Sequence, residues 1–213
     1  MATLPTGTIY AVATVFATAK TITAVSNAVE GVVTCVAHGY VDGAIVQILS
    51  GWGRLNRRIV RVKSSAVNTF VMEGIDTTNL NFYPAGSGVG TVKSVTTFQQ
   101  ISKILSPTAS GGGPKTVTVK FLESDVETKI NDGFEAITES FDIDADEFGG
   151  AAYAALVSLS EIQTDTVLRK TLRTGSVIFT PCRISFNQNP KLSEGAIITN
   201  SVSIDGNGLV TRY

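Results

Sequence analysis

One stretch, Asp146 to Asp165 (DEFGGAAYAALVSLSEIQTD), carries its apolar residues at helical spacing, and it constrains what the rest of the chain can be. Phe148, Ala152, Ala155, Leu156, Leu159 and Ile162 fall at i, i+4, i+7, i+8, i+11 and i+14, a single stripe of a 3.6-residue helix. Such a stripe must cover something. Nearly everything else alternates with a period of two and breaks at Gly, Asn or Pro, so the covered surface is a β-sheet. The expected fold is mainly β (α+β), an antiparallel β-sandwich or barrel of about eight strands with one flanking α-helix. Asp144 or Asp146 is placed to cap the helix, with Glu147 in its first turn. Gly149 and Gly150 each cost about 1 kcal/mol in a helix interior, so its regular part is expected to begin only at Ala151.

Along the chain, residues 1–22 read as an N-terminal arm leading into a first strand, entered through Pro5 and Gly7. The segment IYAVATVFATA within it imitates a signal-peptide core, but no Lys or Arg precedes it, and the same letters read well as a strand. Residues 23–95 form a dense run of short strands (VVTCV, AIVQIL, RIVRV, TFVMEGI) separated by turn residues at Asp42-Gly43, Gly51, Gly53 and Asn68, the pattern of a small all-β module near the N-terminus. Pro84, Gly86, Gly88 and Gly90 close it. Residues 96–213 form the sandwich with the helix. Phe98 to Leu105 reads as a strand or a short helical turn, and the letters do not choose. Ser106 to Lys115 (SPTASGGGPK) reads as a loop too glycine-rich to order itself, either exposed or fixed by a neighbour. TVTVKFL is a strand with Val117, Val119 and Phe121 on one face, and Asn131-Asp132-Gly133 reads as a hairpin turn. Pro181 implies a bulge or an edge, because it cannot donate to a ladder. AIITNSVSI places Ala196, Ile198, Asn200, Val202 and Ile204 on one face.

Charge narrows the function. Only 16% of residues are charged against a typical fraction of about 25%, and mean hydropathy is +0.22. With no apolar run long enough to span a membrane, that greasy surface is expected to be hidden in an assembly. A net charge of −1 argues against a general nucleic-acid binder. It is unevenly spread: residues 1–95 hold seven bases and four acids, whereas residues 96–213 hold ten and fourteen. Cys35 and Cys182 suggest buried thiols and no disulfide framework.

Residues able to do chemistry are few. His38 is the single histidine, it has no cluster of ligands or triad partners nearby in sequence, and it reads as a turn residue beside Gly39. Neither glycine-rich stretch, 86–90 or 111–113, has a Walker ending. No cofactor, metal or catalytic residue is expected. Arg54, Arg57, Arg58 and Arg61, with Lys63 and Trp52, form a basic cluster that reads as an interface meeting an acidic neighbour, as a solvated strand pair, or as a contact for a phosphate backbone. Between Phe121 and Glu147 lie ten acidic residues and one base, Lys129. They lack the calcium-loop spacing, and no aromatic platform for a sugar accompanies them.

From Thr96 onward the order of hairpin, single helix and paired strands resembles the tail tube proteins of long-tailed bacteriophages. The residues that carry the likeness run from KTVTVKFLESDVETKINDGFEAITESFDIDADEFGG through AAYAALVSLSEIQTDTVLRKTLRTGSVIFTPCRISFN to the terminal GNGLVTRY. Val32 to Tyr83 separately resembles a small β module of phage tail proteins, of the type labelled after the first catalytic cysteine half-domain; Cys35 inherits no activity from that label. The resemblance implies a non-enzymatic structural virion protein of tail-tube fold, made in the cytoplasm of the bacterial host. It implies homo-hexameric rings stacked head to tail, contacts with terminator, tape measure and distal tail proteins, passage of viral DNA during ejection, and no membrane. An acidic lumen would repel DNA and let it slide, which makes Glu123, Asp125, Glu127, Glu135 and Glu139 candidates to face the channel. The segments 1–7 and 106–115 would order on assembly. The alternative is a non-enzymatic β-sandwich binding or decoration protein of the tail, holding glycans or a host surface through the basic Trp52 patch.

Overall fold

The structure, a computed structural model, describes residues 6–213; Met1 to Pro5, the start of the expected arm, lie outside the described residues. The first half contributes β1 (Ile9–Phe16), β2 (Lys20–Ile22), β3 (Ala24–Val25), β4 (Val32–Thr34), β5 (Ile45–Ser50), β6 (Ile59–Lys63), β7 (Thr69–Met72) and β8 (Gly90–Ile101). The second half adds β9 (Ile104–Ser110), β10 (Pro114–Val119), β11 (Thr128–Phe134), β12 (Thr138–Asp144), helix α1 (Ala151–Ile162), β13 (Thr166–Thr171), β14 (Val177–Phe186), β15 (Thr199–Gly206) and β16 (Thr211–Arg212). All but two strands join one antiparallel sheet in the order β3-β4-β7-β6-β5-β8-β1-β13-β14-β15-β12-β9, with β2 on β8 and β16 on β14; among the described residues β10 and β11 pair only with each other.

Alternation along the central strands explains why they are so apolar. Val12, Leu168, Cys182 and Ile184 face a core shared with α1, β12 and β15, while Ala13, Val167 and Phe179 face a second core with Ile59 of β6. Strands covered on both faces need apolar residues at every position, so IYAVATVF belongs in the sheet centre. Tyr10 of β1 meets Phe141 of β12 edge-on at 5.6 Å, although β13, β14 and β15 separate their strands in the sheet. The sheet therefore curls over on itself, giving the sandwich. A third core, from Ile22 to Val92, lies within the first half. The halves are not separate strands apart: β8 runs through Val95, pairing with β5 in its first part and β1 in its second.

The helix begins at Ala151, with Gly150 as an N-cap that makes no side-chain bond, and ends at Gln163 in the left-handed conformation. Asp144 caps a separate 3₁₀ turn, Ala145–Glu147, by accepting from Asp146 N at 3.0 Å. Ala152, Leu156 and Leu159 are buried as the stripe demands, but Phe148 lies outside the helix and is 79% exposed, and Ile162 is 61% exposed. Tyr153 takes their place, its ring 4.9 Å from Phe186.

Several expected turns are strand. Segment 106–115 is no free loop: β9 is fixed by β12, β10 begins at Pro114, and Gly111 to Gly113 alone link them. Asn131-Asp132-Gly133 lies inside β11 opposite β10; Gly133 has φ of +85° and sits by a register shift, so the residues that suggested a turn make a bulge. The true hairpin turn is 120–127. Pro181 is neither at an edge nor bulged, for it pairs with Val167 in central β14. Its carbonyl accepts from Asn207 N at 3.0 Å, at the point where the neighbour on that side changes from β15 to β16, so no ladder partner waits for the missing N–H. Ala196 and Ile198 precede β15 and are exposed; Asn200, Val202 and Ile204 are buried.

Candidate assembly surface

The β10–β11 hairpin pairs with no other strand among the described residues and is uncovered along nearly its whole length. Nearly every residue from Pro114 to Phe134 is exposed, including Val117, Ile130 and Phe134 on its strands. At its turn Phe121 is 59%, Leu122 104% and Val126 72% exposed. Phe121 and Leu122 are adjacent, so they break the alternation that would have hidden one of them. That break was the sequence signal of an end that needs a partner. Ser124 Oγ closes the turn by accepting from Val126 N at 3.2 Å and donating to Val126 O at 3.0 Å.

The acidic candidates divide. Glu123, Asp125 and Glu127 gather at the exposed tip, and Glu135 is exposed at the hairpin base, where its backbone N–H donates to Gly113 O at 2.9 Å. Glu139 does not join them. It is 4% exposed and accepts from Lys170 Nζ of β13, a contact that the curl of the sheet creates.

The basic cluster is consumed within the chain. Arg57 pairs with Asp165 at 2.8 Å, Arg58 donates to Thr211 Oγ1 at 3.3 Å, and Arg61 is paired with Glu73 and stacked 4.4 Å from the Tyr213 ring. Lys63 pairs with Glu30 at 2.7 Å. Arg57, Arg58 and the Arg61–Tyr213 stack staple the first half to the second, while the Glu73 and Glu30 pairs tie Arg61 and Lys63 within the first half, so no open patch forms. Asp165 sits at the centre of one such knot, accepting from Arg57 Nε and Arg183 Nε at 2.8 Å each and from Asn207 Nδ2 at 2.9 Å. Burial works against its charge, but the Arg183 bond and the Arg57 charge outweigh it and hold the carboxyl below its usual range. Tyr213 O–H donates to Glu73 O at 3.3 Å and accepts from Arg61 N at 2.8 Å, and burial raises its pKa.

Arg54 differs from the others in making no side-chain hydrogen bond or ion pair among the described residues; it lies 3.4 Å over the exposed Phe82 ring. It borders a groove of about 620 Å³ formed with Asn56, Phe134, Ala136, Leu209 and Val210, where the loop after β5, the hairpin base and the β15–β16 turn converge. Nothing in the sequence brings these three segments together.

The remaining candidates are structural. Trp52 is 1% exposed and donates from Nε1 to Pro84 O at 2.8 Å, so the basic cluster presents no indole to a sugar. His38 is buried, and because its Nδ1 accepts from Tyr40 N at 3.0 Å, its Nε2 carries the proton toward Thr69 O at 3.2 Å. Cys35 and Cys182 are free and buried, and burial pushes the Cys182 thiol up to about 12. Among the described residues no cluster of His, Cys, Asp and Glu could hold a metal ion, and no helix is long and apolar enough to cross a membrane.

No curated protein matches this chain. Among solved structures, it is similar to a chain of the virion of a native gene transfer agent particle, at 14% identity and a TM-score of 0.44 over 55% of this chain and 88% of that one. It is also similar to a chain of the tail of an empty particle of that kind, refined with C6 symmetry, at 16% identity and a TM-score of 0.41 over 54% and 84%. These overlaps are partial. The assignment comes from the family model of the phage tail tube protein, which matches residues 50–213, covering the stapled β5–β6 segment, the hairpin, the helix and every strand that follows: the chain belongs to the phage tail tube protein family, structural components of the viral tail.

Proposed function

We propose that this chain is the repeating subunit of the tail tube, closing into six-fold rings that stack head to tail around a channel for viral DNA, and that it catalyses no reaction. The observation that carries this reading is the β10–β11 hairpin, a two-stranded arm with bare apolar side chains that pairs with no other strand among the described residues. A two-stranded hairpin is marginally stable in water, so it needs a neighbour, and the neighbour that a tail tube supplies is another copy. Contacts with terminator, tape measure and distal tail proteins follow at the two ends of such a tube. The arm and first strand 1–22, the small β module 23–95 and the tube-forming sandwich 96–213 stand as proposed units, supported by the module's own core from Ile22 to Val92, although β1 and β8 belong to the sheet the units share.

Among the exposed carboxylates Glu123, Asp125, Glu127 and Glu135, Asp125 and Glu127 at the hairpin tip are proposed to reach the channel, where they repel the DNA backbone and keep it from binding the wall, while Glu123 and Glu135 border the apolar tip and the groove at the hairpin base. Glu139 is withdrawn from that set because Lys170 already neutralises it. The glycan-binding alternative loses its aromatic surface with the burial of Trp52.

Electron microscopy of the purified protein tests the reading. Rings or tubes with a central channel are expected at high concentration, and a protein that stays monomeric at every concentration, and in the native particle, would refute it. Changing Asp125 and Glu127 to lysine is expected to leave tubes intact and slow DNA release. Loss of the tubes would place those carboxylates between subunits.

A further inference from the structure

We propose that the tip of the β10–β11 hairpin docks, through Phe121 and Leu122, into the groove at the base of the same hairpin on a second copy of this chain. The proposal rests on the self-assembly reading and names the two surfaces that meet. Three observations carry it. The tip offers two adjacent apolar side chains that one copy leaves bare, Leu122 at 104% exposure. The groove is open, about 620 Å³, and is walled by Phe134, Ala136, Leu209 and Val210, a size and lining suited to a pair of apolar side chains. Charge matches as well: the groove is bordered by one charge of each sign, Arg54 and Glu135, neither in an ion pair among the described residues, and the tip carries one of each beside its apolar residues, Lys120 before Phe121 and Glu123 after Leu122. With Glu123 turned toward Arg54, Asp125 and Glu127 are left to the channel.

A chain cannot satisfy its own groove. The paired strands, Pro114–Val119 and Thr128–Phe134, hold the tip about 20 Å from the base at roughly 3.3 Å per residue. The occupant must come from another molecule. Tip and groove are different surfaces, so the contact can run head to tail, each copy receiving a tip from one neighbour and donating its own to another, and it then propagates; a reciprocal exchange between two copies would close instead.

Introduced cysteines test the arrangement, since Cys35 and Cys182 are buried and leave the new thiols to report. Leu122→Cys and Ala136→Cys, made separately and mixed before mild oxidation, are expected to give disulfide-linked pairs containing one of each. If tubes form without such pairs, or if Leu122→Cys links only to itself, the docking is wrong and the tube reading stands. If mixed pairs form and no ring or tube is seen, the docking stands and the tube reading falls. Absence of both overturns both. Leu122→Asp, at a position that makes no contribution to the packed subunit, is expected to leave the melting temperature unchanged and to raise the concentration needed for assembly at least tenfold. Unchanged assembly would overturn the docking.

Discussion

Asp165 follows the helix and joins three segments that are distant in sequence, so replacing it tests whether the two halves are held by charge or by packing alone. Its carboxylate accepts from Arg57 in the first half, Arg183 on β14 and Asn207 in the last turn. Hydrogen bonds to charged groups contribute about 1.5–3 kcal/mol each when sheltered. The Arg57 and Arg183 side chains are 39% and 57% exposed, so water replaces much of what they lose, and each is discounted to roughly 0.5–1 kcal/mol. Adding about 1 kcal/mol for the amide bond gives roughly 2–3 kcal/mol for Asp165→Ala. At about 2–4 °C per kcal/mol for a chain of this length, the melting temperature falls by about 5–10 °C. The sign with pH is fixed by the lowered pKa. Stabilisation from Asp165 is fully present above the unfolded carboxyl's value of about 3.9 and is lost as pH falls through the still lower folded value. Urea unfolding of the unassembled subunit at pH 7 and at progressively lower pH provides the measurement, and the gap between wild type and Asp165→Asn should close well below pH 4. A gap under about 0.5 kcal/mol at pH 7, or one that persists undiminished when the carboxyl is protonated, would refute the reasoning.

Three other outcomes are expected of the subunit. Breaking the buried pair with Glu139→Gln should cost about 3 kcal/mol in chemical denaturation, and a second change, Lys170→Met, should recover much of it because neither charge is then left alone. Gly111→Ala should loosen the link between β9 and β10, visible as faster amide exchange there: a Cβ would stand 1.9 Å from Ala136 O, and the φ of +78° disfavours a side chain by roughly 1–2 kcal/mol more. A thiol reagent at pH 8 should find no reactive cysteine in the native protein and both after denaturation, since Cys35 and Cys182 are buried and burial raises both pKa values.

Elements with one face covered by their own chain were legible in the sequence, because burial writes itself as alternation. IYAVATVF, AIVQIL, RIVRV and TFVMEGI each hold a strand, and the helix starts where the glycines end. Legibility failed where the determinant was a neighbour far along the chain. Segment 106–110 looked free because β12, which orders it, lies some thirty residues on, as the register of Ser110 with Thr138 shows. Glu139 looked like its acidic neighbours because Lys170 reaches it only through the curl of the sheet. The arginines looked like a patch because Asp165, Thr211 and Tyr213 come from the other half of the chain. At Asn131 to Gly133 the residue types were right for a reversal, and a bulge in an uncovered strand uses the same ones. Chemistry at one position was readable; the identity of the facing residue was not.

Where the chain has spent its charges bears on how it assembles. Most arginines of the 54–61 segment are tied to partners within the subunit, and β1, β13 and β14 lie between two cores, so the sheet and its cores are formed within one chain. Association then needs no refolding of that body. The conformational entropy lost on docking, about 1–2 kcal/mol for each backbone residue fixed, is confined to the hairpin and the short links that carry it. What drives the contact is equally local: apolar side chains that are already in water, with one arginine opposite one carboxylate. An assembly of that kind is held chiefly by burial, which salt scarcely weakens, with a screened ion pair setting register. Rigid bodies joined by adjustable arms can bend as a whole tube while each subunit keeps its fold.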